Sequence, residues 1–289
     1  MMQELGGNTA REPCSETRAF RRRWGSRGRA GLVKPLRRSL KDQRVARRCL
    51  GMTTFTEAWD RAQRIEGWLT EGQARLLYQT AASVQPDQAI VEIGSHHGRS
   101  TVILASAKQN GAKVLAIDPY EDPRWGGGES SLKTFLTNLR VNGLDQDVEL
   151  RRGYGADVGG SWDGEPVGMV FVDGAHDFPS VNADLSSWLP HLAGGGVVLI
   201  HDTYSSPGVT RAVFRHMFGS SVFAYVGSAR TLTAFRRKDQ ALSARLLSGV
   251  RMIGKLPWMA RNLTVKVALR RNLRAAAVLL GHRSRAMPY

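Results

Sequence analysis

Between residues 89 and 237 the chain alternates short, β-rich apolar runs with runs of helical periodicity, and this alternation constrains the fold more than any other feature. The strand-like runs are AIVEI (89–93), KVLAID (113–118), DVELRRG (147–153), VGMVFVDG (167–174), GGVVLIHD (195–202), SVFAYVG (221–227) and TLTAFRR (231–237). Helical runs fall between them at 99–111, 130–143, 179–192 and 207–219, the last with Pro207 near its start, where proline is pre-organised for a helix. Strands that alternate with helices at this spacing build a parallel sheet covered on both faces. The last two runs are joined too tightly for a crossover, so they are antiparallel. The expected fold class is α/β, a doubly wound, mostly parallel seven-stranded sheet with a terminal antiparallel hairpin.

Charge divides the chain. The formal net charge is +16, but residues 1–51 hold 14 Lys and Arg against 4 Asp and Glu, and residues 236–289 hold 13 against 1. The part between is acidic. Residues 1–51 lack sustained hydrophobic periodicity and are rich in Arg, Gly and Ser, which predicts disorder; Met52 is an alternative start. Residues 52–85 read as a helical cap, 52–237 as the domain, and 238–289 as a basic amphipathic helical tail. Within the cap Phe55, Trp59, Ile65, Trp68, Leu69, Leu76 and Leu77 recur at helical spacing, broken near Gly67 and Gly72. The two cysteines, Cys14 and Cys49, make no disulfide framework, and no apolar segment follows the early arginines. A cytoplasmic protein is expected, with peripheral membrane contact as a further reading.

Ligands of open α/β sheets sit at the carboxyl ends of the strands, where the strand order reverses. The first strand ends in VEIGSHHGRST, whose Gly94 and Gly98 let the backbone bend closely round a ligand ahead of a helix N-terminus. A dinucleotide site favours G-x-G-x-x-G; here the spacing is G-x-x-x-G, and the acid Glu92 at the rim suits a cationic ligand better than a diphosphate. Asp118 ends the second strand, where an acid accepts from ribose hydroxyls. Plain turn chemistry for the glycines and a helix cap for Asp118 are the competing readings.

VEIGSHHGRST, AIDPY and VFVDGAHDFPSVNADLSSWLPHLAGGGVVLIHDTY together resemble the class I S-adenosylmethionine-dependent methyltransferases, over about residues 85–235. The resemblance implies a Rossmann-like methyltransferase fold with S-adenosylmethionine as cofactor. It implies that Glu92, Gly94, Ser95, Gly98 and Ser100 line its methionine and ribose side, that Asp118 binds the ribose hydroxyls, and that Tyr154 and Gly155 flank the adenine. The D-G-x-H and H-D segments resemble the branch with the metal-dependent sugar O-methyltransferases of macrolide biosynthesis. There the residues matching Asp173, His201 and Asp202 hold a divalent cation, Mg or Mn, and the residue matching His176 is the catalytic base.

Methyl transfer to an alcohol needs a base, a metal ion or both, because the hydroxyl must shed its proton as the bond forms. Asp173 and Asp202 end neighbouring strands and reach the same rim. The branch carries a carboxylate where this chain has His201, and imidazole suits Mg²⁺ poorly. Adjacent strand residues face opposite ways, so His201 and Asp202 share a ligand only if the strand has ended before them. Competing readings are a rim residue that orders Asp202 for His201, a capping acid for Asp173, and a satisfied histidine for His176. The Gly-rich run 120–131 with Trp125 has the makings of a lid, and Tyr204 is expected to touch the acceptor.

The expected activity is S-adenosylmethionine-dependent O-methylation of a sugar, glycolipid or secondary metabolite. The alternatives are a metal-free N- or O-methyltransferase of small molecules and a membrane- or nucleic-acid-binding protein with an incidental cofactor fold. In the tail, Leu246, Leu247, Val250, Ile253, Trp258, Leu263, Val267 and Leu273 interleave with Arg and Lys, which suits an anionic membrane face with Trp258 at the interface. Packing on the domain or in a homo-oligomer is the other reading, and nucleic acid is the least favoured partner.

Overall fold

The computed structural model describes residues 53–121 and 127–284. Helices α1 (Phe55–Ala62) and α2 (Glu71–Ala81) precede β1 (Ala89–Ile93), α3 (Arg99–Ala107), β2 (Lys113–Ile117), α4 (Glu129–Val141), β3 (Val148–Arg151), α5 (Gly155–Gly160), β4 (Val167–Val172) and α6 (Phe178–Trp188). After a short 3₁₀ turn come β5 (Leu192–Ile200), α7 (Pro207–Met217), β6 (Phe223–Ala229), β7 (Leu232–Arg237), α8 (Leu242–Ile253), α9 (Leu256–Arg270) and α10 (Arg274–Leu279). The expected disorder of residues 1–51, both cysteines, Met52 and Trp125 lie outside the described residues.

The strands form one seven-stranded sheet in the order β3-β2-β1-β4-β5-β7-β6. Pairings among the first five are parallel, and β7 runs antiparallel to both β5 and β6. The order reverses between β1 and β4, so a crevice opens beyond their carboxyl ends. β1 and β4 are buried along their whole length, as their largely apolar sequences require of central parallel strands; Glu92 is the one acid among them.

A separate core covers each face. Phe171, Leu104, Phe135 and Leu77 belong to one, built with α1 to α4; Trp188, Leu185, Phe235 and Met252 belong to the other, built with α6, α7 and α8. Truncating a fully buried ring such as Phe171 to alanine costs about 3–5 kcal/mol. The tail is not a separate body, because Phe55–Tyr289 cluster as one compact unit. Asn262 on α9 donates to the Tyr204 carbonyl at 3.2 Å, and Lys266 to the Ser205 carbonyl at 2.9 Å. No helix among the described residues is long and apolar enough to cross a membrane.

Candidate active site

The loop after β1 runs over the reversal point. Gly94 has φ of 87°, and a Cβ there would lie 2.4 Å from the Asp173 carbonyl oxygen. Only glycine lets the ends of β1 and β4 approach this closely. The Asp118 carboxylate braces the same loop: Oδ2 accepts from Ser95 N at 3.0 Å and His96 N at 2.9 Å, and Oδ1 from Tyr120 N at 2.9 Å. A carboxylate has about four acceptor positions, and these three bonds leave one on this partly buried group. His96 holds φ of 45°, a conformation that costs a non-glycine residue free energy and clusters at functional loops.

Glu92 is not on the rim. It is fully buried, its Oε2 accepts from the Thr101 hydroxyl, and Oε1 has no hydrogen-bond partner. Burial raises its pKa to about 7 against the opposing Ser100 and Thr101 hydroxyls, so the acid expected at the rim is instead an interior group beneath the first turn of α3. Ser100 is buried beside it, Ser95 is buried with its hydroxyl 3.3 Å from that of Tyr120, and Gly98 (φ 87°) starts α3. On the far side of β1, Tyr154 is 57% exposed and its hydroxyl donates to Glu121 at 3.0 Å. Gly155 is buried; its carbonyl accepts from Trp188 Nε1 at 2.8 Å.

At the other lip, β5 ends at Ile200, so His201 and Asp202 lie beyond it and the rule of alternating faces does not separate them. His201 Nδ1 stands 2.9 Å from Asp173 Oδ1 and 3.7 Å from Asp202 Oδ1. Nε2 stands 3.0 Å from Gln73 Nε2. The Gln73 amide is oriented by its carbonyl oxygen, which accepts from Thr70 N at 2.9 Å and Thr70 Oγ1 at 2.8 Å. Its N–H therefore donates to His201 Nε2.

Burial opposes charge on His201, but the carboxylates, Asp173 foremost, push its pKa up to about 9. The Gln73 N–H demands the opposite, a lone pair on Nε2, and protonating the ring would turn the amide over and break both Thr70 bonds. In neither form does the ring keep a lone pair for a metal.

Asp202 is 2% exposed, with φ of 53° and Oδ1 accepting from Ser205 Oγ at 2.6 Å. Burial works against its charge, but His201, the Ser205 hydroxyl and His176 outweigh it and hold its pKa below the usual range. His176 Nε2 lies 3.5 Å from Asp202 Oδ2, and the His176 side chain is 44% exposed. Its loop is fastened to the one after β5, because Ser206 Oγ donates to the His176 carbonyl at 2.9 Å and Gly208 packs against that carbonyl.

Two expectations are corrected. Tyr204 does not line the crevice: it is fully buried, its hydroxyl donates to the Met252 carbonyl at 3.3 Å, and its ring meets Trp258 edge-on at 6.5 Å. Trp68, counted among the residues at helical spacing, lies between α1 and α2 instead and is 54% exposed, tilted over His96 at 5.4 Å. Gln73, Ser205 and Lys266 were not singled out by sequence. The T-x-x-Q spacing of Thr70 and Gln73 signals a helix start, and nothing in it points to His201.

Residues 91–203 match the family model described as a methyltransferase domain. A protein of Sinorhizobium fredii, itself uncharacterised, is 29% identical over 123 residues; the match covers 39% of this chain and 13% of that relative's length. Among solved structures, a Corynebacterium glutamicum protein aligns with TM-score 0.53 at 14% identity, covering 70% of this chain and 99% of that one. A Klebsiella pneumoniae protein provisionally named an O-methyltransferase gives 0.51 at 16% identity over 69% and 97%. A Podospora anserina methyltransferase with bound S-adenosylhomocysteine gives 0.50 at 15% identity over 73% and 100%. At these identities the structural likeness speaks for the fold. Residues 91–203 thus resemble a methyltransferase domain, set in a seven-stranded sheet whose fold these solved structures share.

Proposed function

We propose that the chain transfers the methyl group of S-adenosylmethionine to a hydroxyl oxygen of a small acceptor, a sugar, glycolipid or related metabolite, with His176 as base. The observation that carries this reading is the His176–Asp202 pair, a half-exposed imidazole on a buried carboxylate, beside the crevice at the β1–β4 reversal. Bound S-adenosylmethionine supplies a methyl group made electrophilic by its sulfonium. Asp118 takes a ribose hydroxyl on its remaining acceptor position while it holds the loop of Ser95 and His96, and the first turn of α3 offers N–H groups. Asp202 Oδ2 draws His176 Nε2–H toward itself, so Nδ1 carries the lone pair that receives the acceptor's hydroxyl proton as the oxygen–carbon bond forms. The exposed Trp68 face by the loop suits the C–H side of a sugar ring.

The donor set does not fit the metal that the resemblance implies. Both ring nitrogens of His201 are engaged, one oxygen of Asp173 and one of Asp202 are already bonded, and no group of three or more His, Cys, Asp or Glu among the described residues is arranged to hold an ion. The role of holding a carboxylate in place falls to His201, which fixes Asp173 while Gln73 fixes its ring. No step is routed through a metal.

Radiolabelled methyl transfer from S-adenosylmethionine to a panel of hydroxylated acceptors tests the reading. His176→Gln is expected to lower turnover by about 10²–10⁴ and to leave S-adenosylhomocysteine affinity unchanged. An unaltered rate removes His176 from the reaction.

A further inference from the structure

We propose that α8, with the cationic surface of α9 and α10, is an interfacial anchor that lays this domain on an anionic lipid bilayer. The argument begins with the orientation of α8. A helix on a soluble domain turns its apolar stripe inward. Here Leu242, Leu246, Val250 and Ile253, which share one helical face, are 49–66% exposed, while the buried positions are Ser248, Gly249 and Met252. The domain holds the helix from its other side: Met252 enters the core, Gly249 packs against Phe218, Arg245 donates to the Gly219 carbonyl at 3.0 and 2.8 Å, and Ser248 donates to Gln240 at 3.1 Å. The outward stripe is thus not needed for docking to the sheet.

Charge selects the occupant. Leu242 to Ser284 contain nine Lys and Arg and no Asp or Glu. Arg251, Arg270, Arg271 and Arg274 are exposed. An apolar face among cations, without a carboxylate, matches acyl chains beneath anionic headgroups. A second copy would bring two cationic faces together, and residues 1–51 are themselves strongly basic. A nucleic acid would answer the cations but leave the leucines in water, and Trp258, the aromatic of α8 to α10, is packed on Tyr204 instead of free to stack on bases.

The proposal stands apart from the methyltransferase reading, because its readout is vesicle binding without cofactor or acceptor. The full chain is sedimented with vesicles of phosphatidylglycerol and phosphatidylcholine, and with phosphatidylcholine alone. Binding is expected only to the anionic vesicles and weakens as salt rises. Leu246→Glu with Val250→Glu is expected to lower it at least about tenfold, and Arg270→Glu with Arg271→Glu by about fivefold or more per cation removed. These side chains are exposed, so both variants keep the thermal midpoint. Failure of the full chain to bind anionic vesicles overturns the proposal, as does binding that the Leu246/Val250 variant leaves intact. A stable dimer that this variant dissociates overturns it too, because a second copy then covers the stripe.

Discussion

Replacing Glu92 with glutamine tests whether a carboxyl group sits in the interior of the first βα turn. Glu92 is fully buried, and its pKa rises from 4.5 to about 7 because burial outweighs the Ser100 and Thr101 hydroxyls, with Asp173 and Asp118 adding repulsion. An acid with a raised pKa binds more protons folded than unfolded between those two values, so the folded state loses stability as pH climbs through that window. The loss amounts to about 3 kcal/mol at pH 8 relative to pH 4. Glutamine cannot ionise, so the variant lacks this slope. The assay is urea unfolding of both proteins, without cofactor, from pH 4 to pH 8. The stability difference, variant minus wild type, is expected to grow by about 3 kcal/mol in the variant's favour across that range. Asp184, also raised to about 7 by burial, is common to both proteins and cancels. A difference that stays flat with pH refutes the placement of Glu92, whatever the absolute stabilities.

Gly94→Ala is expected to lower stability by roughly 3 kcal/mol or more, from a left-handed φ and a Cβ 2.4 Å from the Asp173 carbonyl, and thermal unfolding reads it as a fall of about 6–12 °C. Calorimetric titration of Mn²⁺ into the chain saturated with S-adenosylhomocysteine is expected to show no stoichiometric binding; a one-to-one isotherm that Asp202→Ala abolishes would restore the metal reading.

The alternating apolar runs located every strand to within a few residues, because β1 and β4 are buried on both faces and carry that burial in their composition. The sites at the strand ends were legible for the same reason: once the strands are known, Gly94, Asp118, Asp173 and Asp202 fall at one edge of the sheet. What stayed hidden depends on tertiary neighbours. The short helix α5 has the sequence GADVGG, without apolar periodicity, and the ring of Trp188 is bonded to its first carbonyl. β5 begins at Leu192, at the end of the run read as helical and ahead of the strand-like run 195–202, because Leu192 pairs with Val167 across a register shift. Tyr204 looks like a pocket residue until α8 and α9 cover it. Glu92 looks like a rim acid until Ser100 and Thr101 draw it beneath α3. Gln73 reaches His201 from 128 residues away, and no local pattern announces a contact of that range.

The central claim is that the crevice at the β1–β4 reversal holds S-adenosylmethionine, and calorimetric titration of S-adenosylhomocysteine into the full chain tests it most directly. The account expects one-to-one binding that weakens at least about tenfold in Asp118→Ala, which loses an ionised hydrogen-bond acceptor. No binding by the folded wild-type chain, or binding indifferent to Asp118, would contradict it.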